Sequence, residues 1–127
     1  MRKAVILAGA LALGACATTS DTSGGSGTSA RGADECGGAS YYADSLAGNS
    51  TASGEAYSPS KRTAAHKTLP FGTVLRVVRR DTGEETEVTV NDRGPFVSGR
   101  VIDLSRKAAS DIDLITDGVA DVCIYVK

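Results

Sequence analysis

Few residues in this chain can do acid–base chemistry, and each sits in a distinct local setting. Asp92 stands between Asn91 and Arg93-Gly94-Pro95, at a strand end entering a turn. A side chain there can face a groove, or it can accept the backbone hydrogens of the turn, as aspartate often does. Asp103 lies in Arg100-Val101-Ile102-Asp103-Leu104-Ser105. It is either a second acid or a carboxylate that orients the start of the following helix. Glu55 follows Gly54 in a polar loop, and alone it reads as a solvated charge. His66 is the only histidine; imidazole carries protons near neutral pH, although a lone histidine is more often structural. Three carboxylates and an imidazole suffice for general acid–base catalysis. Three cysteines and one histidine lack any zinc-like spacing, so neither a metal nor a cofactor is expected.

The N-terminus carries an export pattern. Arg2 and Lys3 precede the uncharged apolar run Ala4 to Leu13. That run is shorter than the roughly 20 residues a spanning helix needs and reads as the core of a signal peptide. Leu13-Gly14-Ala15-Cys16 then places two small residues directly before a cysteine, the pattern of a lipobox. Residues 1–15 are expected to be removed and Cys16 acylated, and multiple acyl chains anchor a protein stably in a membrane. Residue 17 is Ala, not the Asp that retains lipoproteins in the inner membrane, so the outer membrane is the expected location. The removed segment holds two of the 14 basic residues and none of the 15 acidic ones, which takes the net charge from −1 to −3. A negative domain is a poor partner for nucleic acid, and a monomer is expected.

Residues 16–36 read as the lipidated cysteine and a linker. From Ala17 to Glu35, 12 of 19 residues are Ser, Thr or Gly. Such a stretch buries too little apolar surface to offset its ordering entropy, and as a coil it reaches on the order of 24 Å. Residues 37–127 are then one small domain. Cys36 and Cys123 bracket it; they either pair in an oxidising compartment or remain as two buried thiols.

The elements that must position the polar residues are mostly strands. Thr73 to Arg79 and Glu85 to Asn91 are rich in β-branched residues and flank a glycine-containing turn, a hairpin signal. Arg100 to Leu104 and Gly38 to Tyr42 are further strands. Val119 to Lys127 alternates, with Ala120, Val122, Ile124 and Val126 on the face toward the core. One helix is expected, capped by Ser105 and running from Arg106 to about Ile112. Several short strands and one short helix suggest a small barrel.

Longer motifs add a family. Gly38-Ala39-Ser40-Tyr41-Tyr42, Thr51-Ala52-Ser53-Gly54-Glu55-Ala56-Tyr57, Thr63-Ala64-Ala65-His66-Lys67-Thr68-Leu69-Pro70-Phe71-Gly72-Thr73, Val90-Asn91-Asp92-Arg93-Gly94-Pro95-Phe96 and Gly99-Arg100-Val101-Ile102-Asp103-Leu104-Ser105 occur in that order. This order resembles the rare lipoprotein A family across residues 37–127. The resemblance implies a six-stranded double-psi β-barrel that cleaves peptidoglycan glycan strands as a lytic transglycosylase. Such an enzyme cuts the MurNAc–GlcNAc bond without water and leaves 1,6-anhydroMurNAc ends, on strands lacking stem peptides. One carboxylic acid can protonate the leaving oxygen and then, as carboxylate, take the proton from the MurNAc 6-hydroxyl. The family motifs implicate Asp92 first, then Glu55, His66 and Asp103; the place of Asp103 also resembles an acidic residue of expansins, which share the barrel. Tyr42, Asn91, Arg93 and Arg100 are expected at the substrate. Tyr42 could stack on a sugar ring, and the two arginines could fork the lactyl carboxylate or form ordinary salt bridges. The alternative is an expansin-like protein that binds glycan and cleaves nothing.

Overall fold

The structure is a computed structural model, and it describes residues 32–127. The expected signal peptide, Cys16 and most of the expected linker lie outside the described residues. No helix among the described residues is long and apolar enough to cross a membrane.

Six strands close into a barrel: β1 (Glu35–Tyr41), β2 (Thr63–Ala65), β3 (Val74–Arg79), β4 (Glu85–Asp92), β5 (Arg100–Leu104) and β6 (Ala120–Val126). Their order around the barrel is β1-β5-β2-β4-β3-β6, with β6 returning to pair β1. β1 runs parallel to β5 and β2 parallel to β4, while the other pairs are antiparallel. This is the six-stranded double-psi arrangement. The first strand begins two residues ahead of the expected domain start. β2 was not anticipated: Thr-Ala-Ala is too short and too small to show a period. The expected helix forms as α1 (Arg106–Asp111), with the Ser105 side chain accepting from the Ala108 amide. A second short helix, α2 (Leu114–Asp117), follows it, so the expectation of one helix is corrected to two. Four residues are too few to carry a helical pattern.

Alternation builds the core. Leu75 and Val77 of β3, Val88 and Val90 of β4, Ile102 and Leu104 of β5, and Val122 and Ile124 of β6 are fully buried together, and Ile112 and Leu114 pack on them. Arg79 continues the inward face of β3 to the barrel's end. There its guanidinium donates to Asp81, to Asp117 and to the carbonyls of Ile112 and Asp113. The buried charge is thereby fully hydrogen-bonded, as burial requires.

Two bulges break the alternation. Ala64 pairs with Val90 and Ala65 with Asp92, so Asn91 has no residue opposite it. Gly38 pairs with Arg100 and Ala39 with Ile102, so Val101 is likewise extra. A bulge turns every following side chain to the other face. Val101 and Ile102 are therefore both buried, and Asp103 is released from the core. Gly37 makes room for the bulge: a Cβ there would sit 2.6 Å from Val101 Cγ1.

Cys36 and Cys123 face each other across β1 and β6 and are joined by a disulfide. It closes a loop with a sequence separation of 87. The oxidised domain is expected to be two hydrogens lighter by intact mass than the reduced one. Reduction should lower unfolding free energy by about 4.5 kcal/mol, the chain-entropy value for a loop this long. Denaturant titration with and without reductant measures the difference.

Candidate active site

Asp92 is held from three directions. Its Oδ1 accepts from the backbone amides of Ala52 and Arg93, at 2.8 and 2.9 Å. Its Oδ2 accepts from the Tyr42 hydroxyl. The end of β4, the end of β1 and the 51–55 turn therefore converge on one half-buried carboxylate. Tyr42 is itself braced, its ring stacking on Tyr57 at 4.6 Å between centroids. Tyr57 is buried, and its hydroxyl accepts from the Arg106 amide at the start of α1. Tyr41 points the other way and donates to the Ile115 carbonyl. The two hydroxyls are thus held by different partners, although both residues border the groove.

Asp92, Asp103, Tyr42, Arg93 and Arg100 line one groove of about 290 Å³. Asp103 accepts from Arg100 Nη2 at 3.1 Å, both side chains about a quarter exposed. The pair is an ordinary salt bridge, which engages Arg100 within the chain. Arg93 is similarly occupied: Nη1 donates to the carbonyls of His66 and Leu69, and its guanidinium lies 4.1 Å from the centre of the Phe71 ring.

Glu55 and Asn91 stand behind Asp92. The exposed Glu55 takes a hydrogen bond from the buried Asn91 side chain at 2.8 Å, and Ser53 donates its amide to the Asn91 carbonyl. The bulged residue thus anchors the turn that supplies the Ala52 amide. His66 is buried and outside the groove lining. Its Nδ1 accepts from the amides of Thr68 and Leu69, each at 3.1 Å. The ring proton is therefore on Nε2, which donates to Glu35 at 2.8 Å. With both nitrogens engaged, His66 holds the turn whose carbonyls receive Arg93, and its own amide donates to the Asp92 carbonyl.

Three contributors were absent from the sequence expectations: Tyr57, the Ala52 amide and Glu35. Tyr57 belonged to the motif order but carried no signal of stacking, and a backbone amide carries none at all. Glu35 lay in the composition-defined linker.

Burial holds the Tyr42 phenol well above its ordinary ionisation range, and the Asp92 carboxylate beside it adds to the effect. Both disfavour phenolate. The raised folded value means that this group's contribution to stability is complete below about pH 10 and declines above it. Tyr42 is one of four tyrosines. In an absorbance titration to about pH 11, where ordinary phenols ionise, Tyr42→Phe is expected to show the full amplitude of the parent. A clear loss of amplitude would show an ordinary phenol; the size of that loss is not one quarter, because burial raises the Tyr57 phenol as well.

Residues 34–124 match the family described as lytic transglycolase. The probable endolytic peptidoglycan transglycosylase RlpA of Treponema pallidum (strain Nichols) is 49% identical over 87 residues, 68% of this chain and 27% of that protein. The endolytic peptidoglycan transglycosylase RlpA of Vibrio cholerae serotype O1 is 47% identical over 96 residues, 76% of this chain and 36% of that protein. The chain thus spans about a third or less of the length of these relatives. Among solved structures, the Clavibacter michiganensis expansin superposes with a TM-score of 0.57 at 22% identity, covering 72% of this chain and 49% of that one. The Streptomyces papain inhibitor gives 0.55 at 22% identity, covering 73% and 96%. Those two likenesses are of fold alone. With the match running from just before β1 into β6 and the barrel closed as described, this chain belongs to the lytic transglycolase family.

Proposed function

We propose that this chain is a lytic transglycosylase of peptidoglycan. It cleaves the MurNAc–GlcNAc bond of strands without stem peptides and leaves 1,6-anhydroMurNAc ends. The observation that carries the reading is the seating of Asp92 in the groove. Its Oδ1 is tied to two backbone amides, which fixes the carboxyl plane and leaves Oδ2 to exchange protons. Among the described residues, Oδ2 is met by a phenol. A hydroxyl can donate or accept, so Tyr42 can keep the contact whether Asp92 is protonated or ionised. A residue that serves first as acid and then as base needs such a neighbour. Protonated Asp92 gives its proton to the glycosidic oxygen as that bond breaks. Ionised Asp92 then removes the proton from the 6-hydroxyl as its oxygen closes on the anomeric carbon.

Asp103 lies in the same groove but is compensated by Arg100, which suits it to orient substrate and to steady positive charge developing on the sugar. Glu55, Asn91, His66 and Arg93 act by holding the segments that deliver Asp92. The relatives' names support peptidoglycan as substrate. The export pattern supports a protein anchored through Cys16, facing the periplasm from the outer membrane.

Purified protein incubated with sacculi stripped of stem peptides is expected to release glycan fragments whose mass shows 1,6-anhydroMurNAc ends. Asp92→Asn should lower turnover by at least ~10²-fold, the scale of a lost general acid, while unfolding as the parent does. Asp103→Asn and Glu55→Gln should cost less. Fragments ending in reducing MurNAc would mean a hydrolase. An Asp92→Asn protein that cleaves normally beside an inert, folded Asp103→Asn would move the acid to Asp103. Wild-type protein that binds these strands and never cleaves them would leave the expansin-like alternative.

Lipid attachment has its own test. Metabolic labelling with a palmitate analogue is expected to mark the parent and not Cys16→Ser. Equal labelling of both would remove the anchor.

A further inference from the structure

The wall of the groove is unlike its floor. Five large hydrophobic side chains are exposed among the described residues, and three of them, Leu46, Phe96 and Val97, line this one groove. Phe96 is 80% exposed. Its ring is nonetheless supported, because it lies against Gly94: a Cβ at Gly94 would sit 3.5 Å from Phe96 Cε2. Gly94 has φ of 118°, in the region that favours glycine. The aromatic ring is therefore set on backbone, with most of its surface open to solvent, four residues beyond Asp92.

We propose that Phe96, flanked by Val97 and Leu46, is a stacking platform for one pyranose ring of the glycan strand beside Asp92. This deepens the transglycosylase reading and rests on it for the identity of the strand. The occupant follows from what surrounds the ring. A pyranose is amphiphilic: its C–H face packs on an aromatic ring, and its equatorial hydroxyls project sideways as hydrogen-bond donors. The groove offers the ring on its wall and the oxygens of Asp92, Asp103 and Tyr42 on its floor. An acyl chain or an apolar protein anchor on Phe96 would cover those carboxylates without hydrogen-bonding them, at a desolvation cost. A sugar satisfies both surfaces at once.

The test separates binding from turnover. In an Asp92→Asn background, which holds strands without cutting them, Phe96→Ala is expected to weaken co-sedimentation with stem-peptide-free sacculi by about tenfold, the scale of a lost aromatic contact. Phe96→Trp should retain binding. With Asp92 intact, Phe96→Ala should raise KM by a similar factor and change kcat little. Phe96 is exposed, so an unchanged unfolding midpoint is expected for both variants. Binding and KM equal to the parent's in Phe96→Ala overturn the platform, as does a Phe96→Trp protein as weak as the alanine variant. So does flotation with phosphatidylglycerol vesicles that depends on Phe96 while glycan binding does not; the occupant is then a membrane. Phe96-dependent binding by a protein that releases no product keeps the platform and removes the enzymatic reading. Product release with an unchanged KM does the reverse.

Discussion

A strand that alternates strictly would send Asp92 to the same side as Val88 and Val90, into the barrel's apolar interior, and Asp103 to the side of Val101. Burying an unpaired carboxylate in such a core costs several kcal/mol. The extra residues Asn91 and Val101 change the phase once in each strand, and both do so in the parallel pairings. The placement of both groove carboxylates depends on those two slips in register. They let a small closed barrel keep an unbroken core and still present carboxylates from two strands to one groove. The bulged residues are themselves buried, Asn91 with a hydrogen bond and Val101 with a methyl group close to Gly37.

Once turned outward, Asp92 becomes the junction of otherwise separate segments. The tie to Ala52 closes the 51–55 turn onto β4, and the tie to Tyr42 reaches the end of β1. Behind it, Arg93 links β4 to the turn at His66 and Leu69, and His66 links that turn to Glu35 in β1. The geometry at the carboxylate is thus fixed by backbone donors, and the side chains around it act mainly by holding that backbone still. This is pre-organisation of the kind that lets fixed dipoles meet developing charge without rearrangement.

How much of this the sequence discloses depends on the length scale of each signal. The long β-branched runs of β3, β4 and β6 read directly, as did the Ser105 cap, because each repeats or pairs several residues. β2 and α2 carry too few residues for a period and are held by their neighbours. Among the site residues, Asp92 was legible from its motif and its place at a strand end. Its partners were not: Ala52 contributes an amide, which every residue possesses, and Tyr57 sits beneath Tyr42 only because of the closed barrel. Arg93 and Arg100 had two readings open in the sequence, and in the structure Arg100 makes the salt bridge while Arg93 is held by carbonyls. Glu35 was hidden by composition. A stretch dominated by Ser and Gly gives no notice of where its last residues join a sheet, and register with Ile124 decides that.

The disulfide has a mechanical consequence. Cys36 is the second residue of β1, so tension applied to the chain ahead of it enters the domain at the covalent link to Cys123. Force is passed directly to β6, which is bonded on both sides, to β1 and to β3. Peeling β1 from the barrel by breaking one hydrogen bond at a time is therefore stopped at its second residue, once the Asp34 bonds to Ile124 and Val126 give way. A domain pulled from its N-terminal end while its groove grips a polymer would be loaded in shear across two strands.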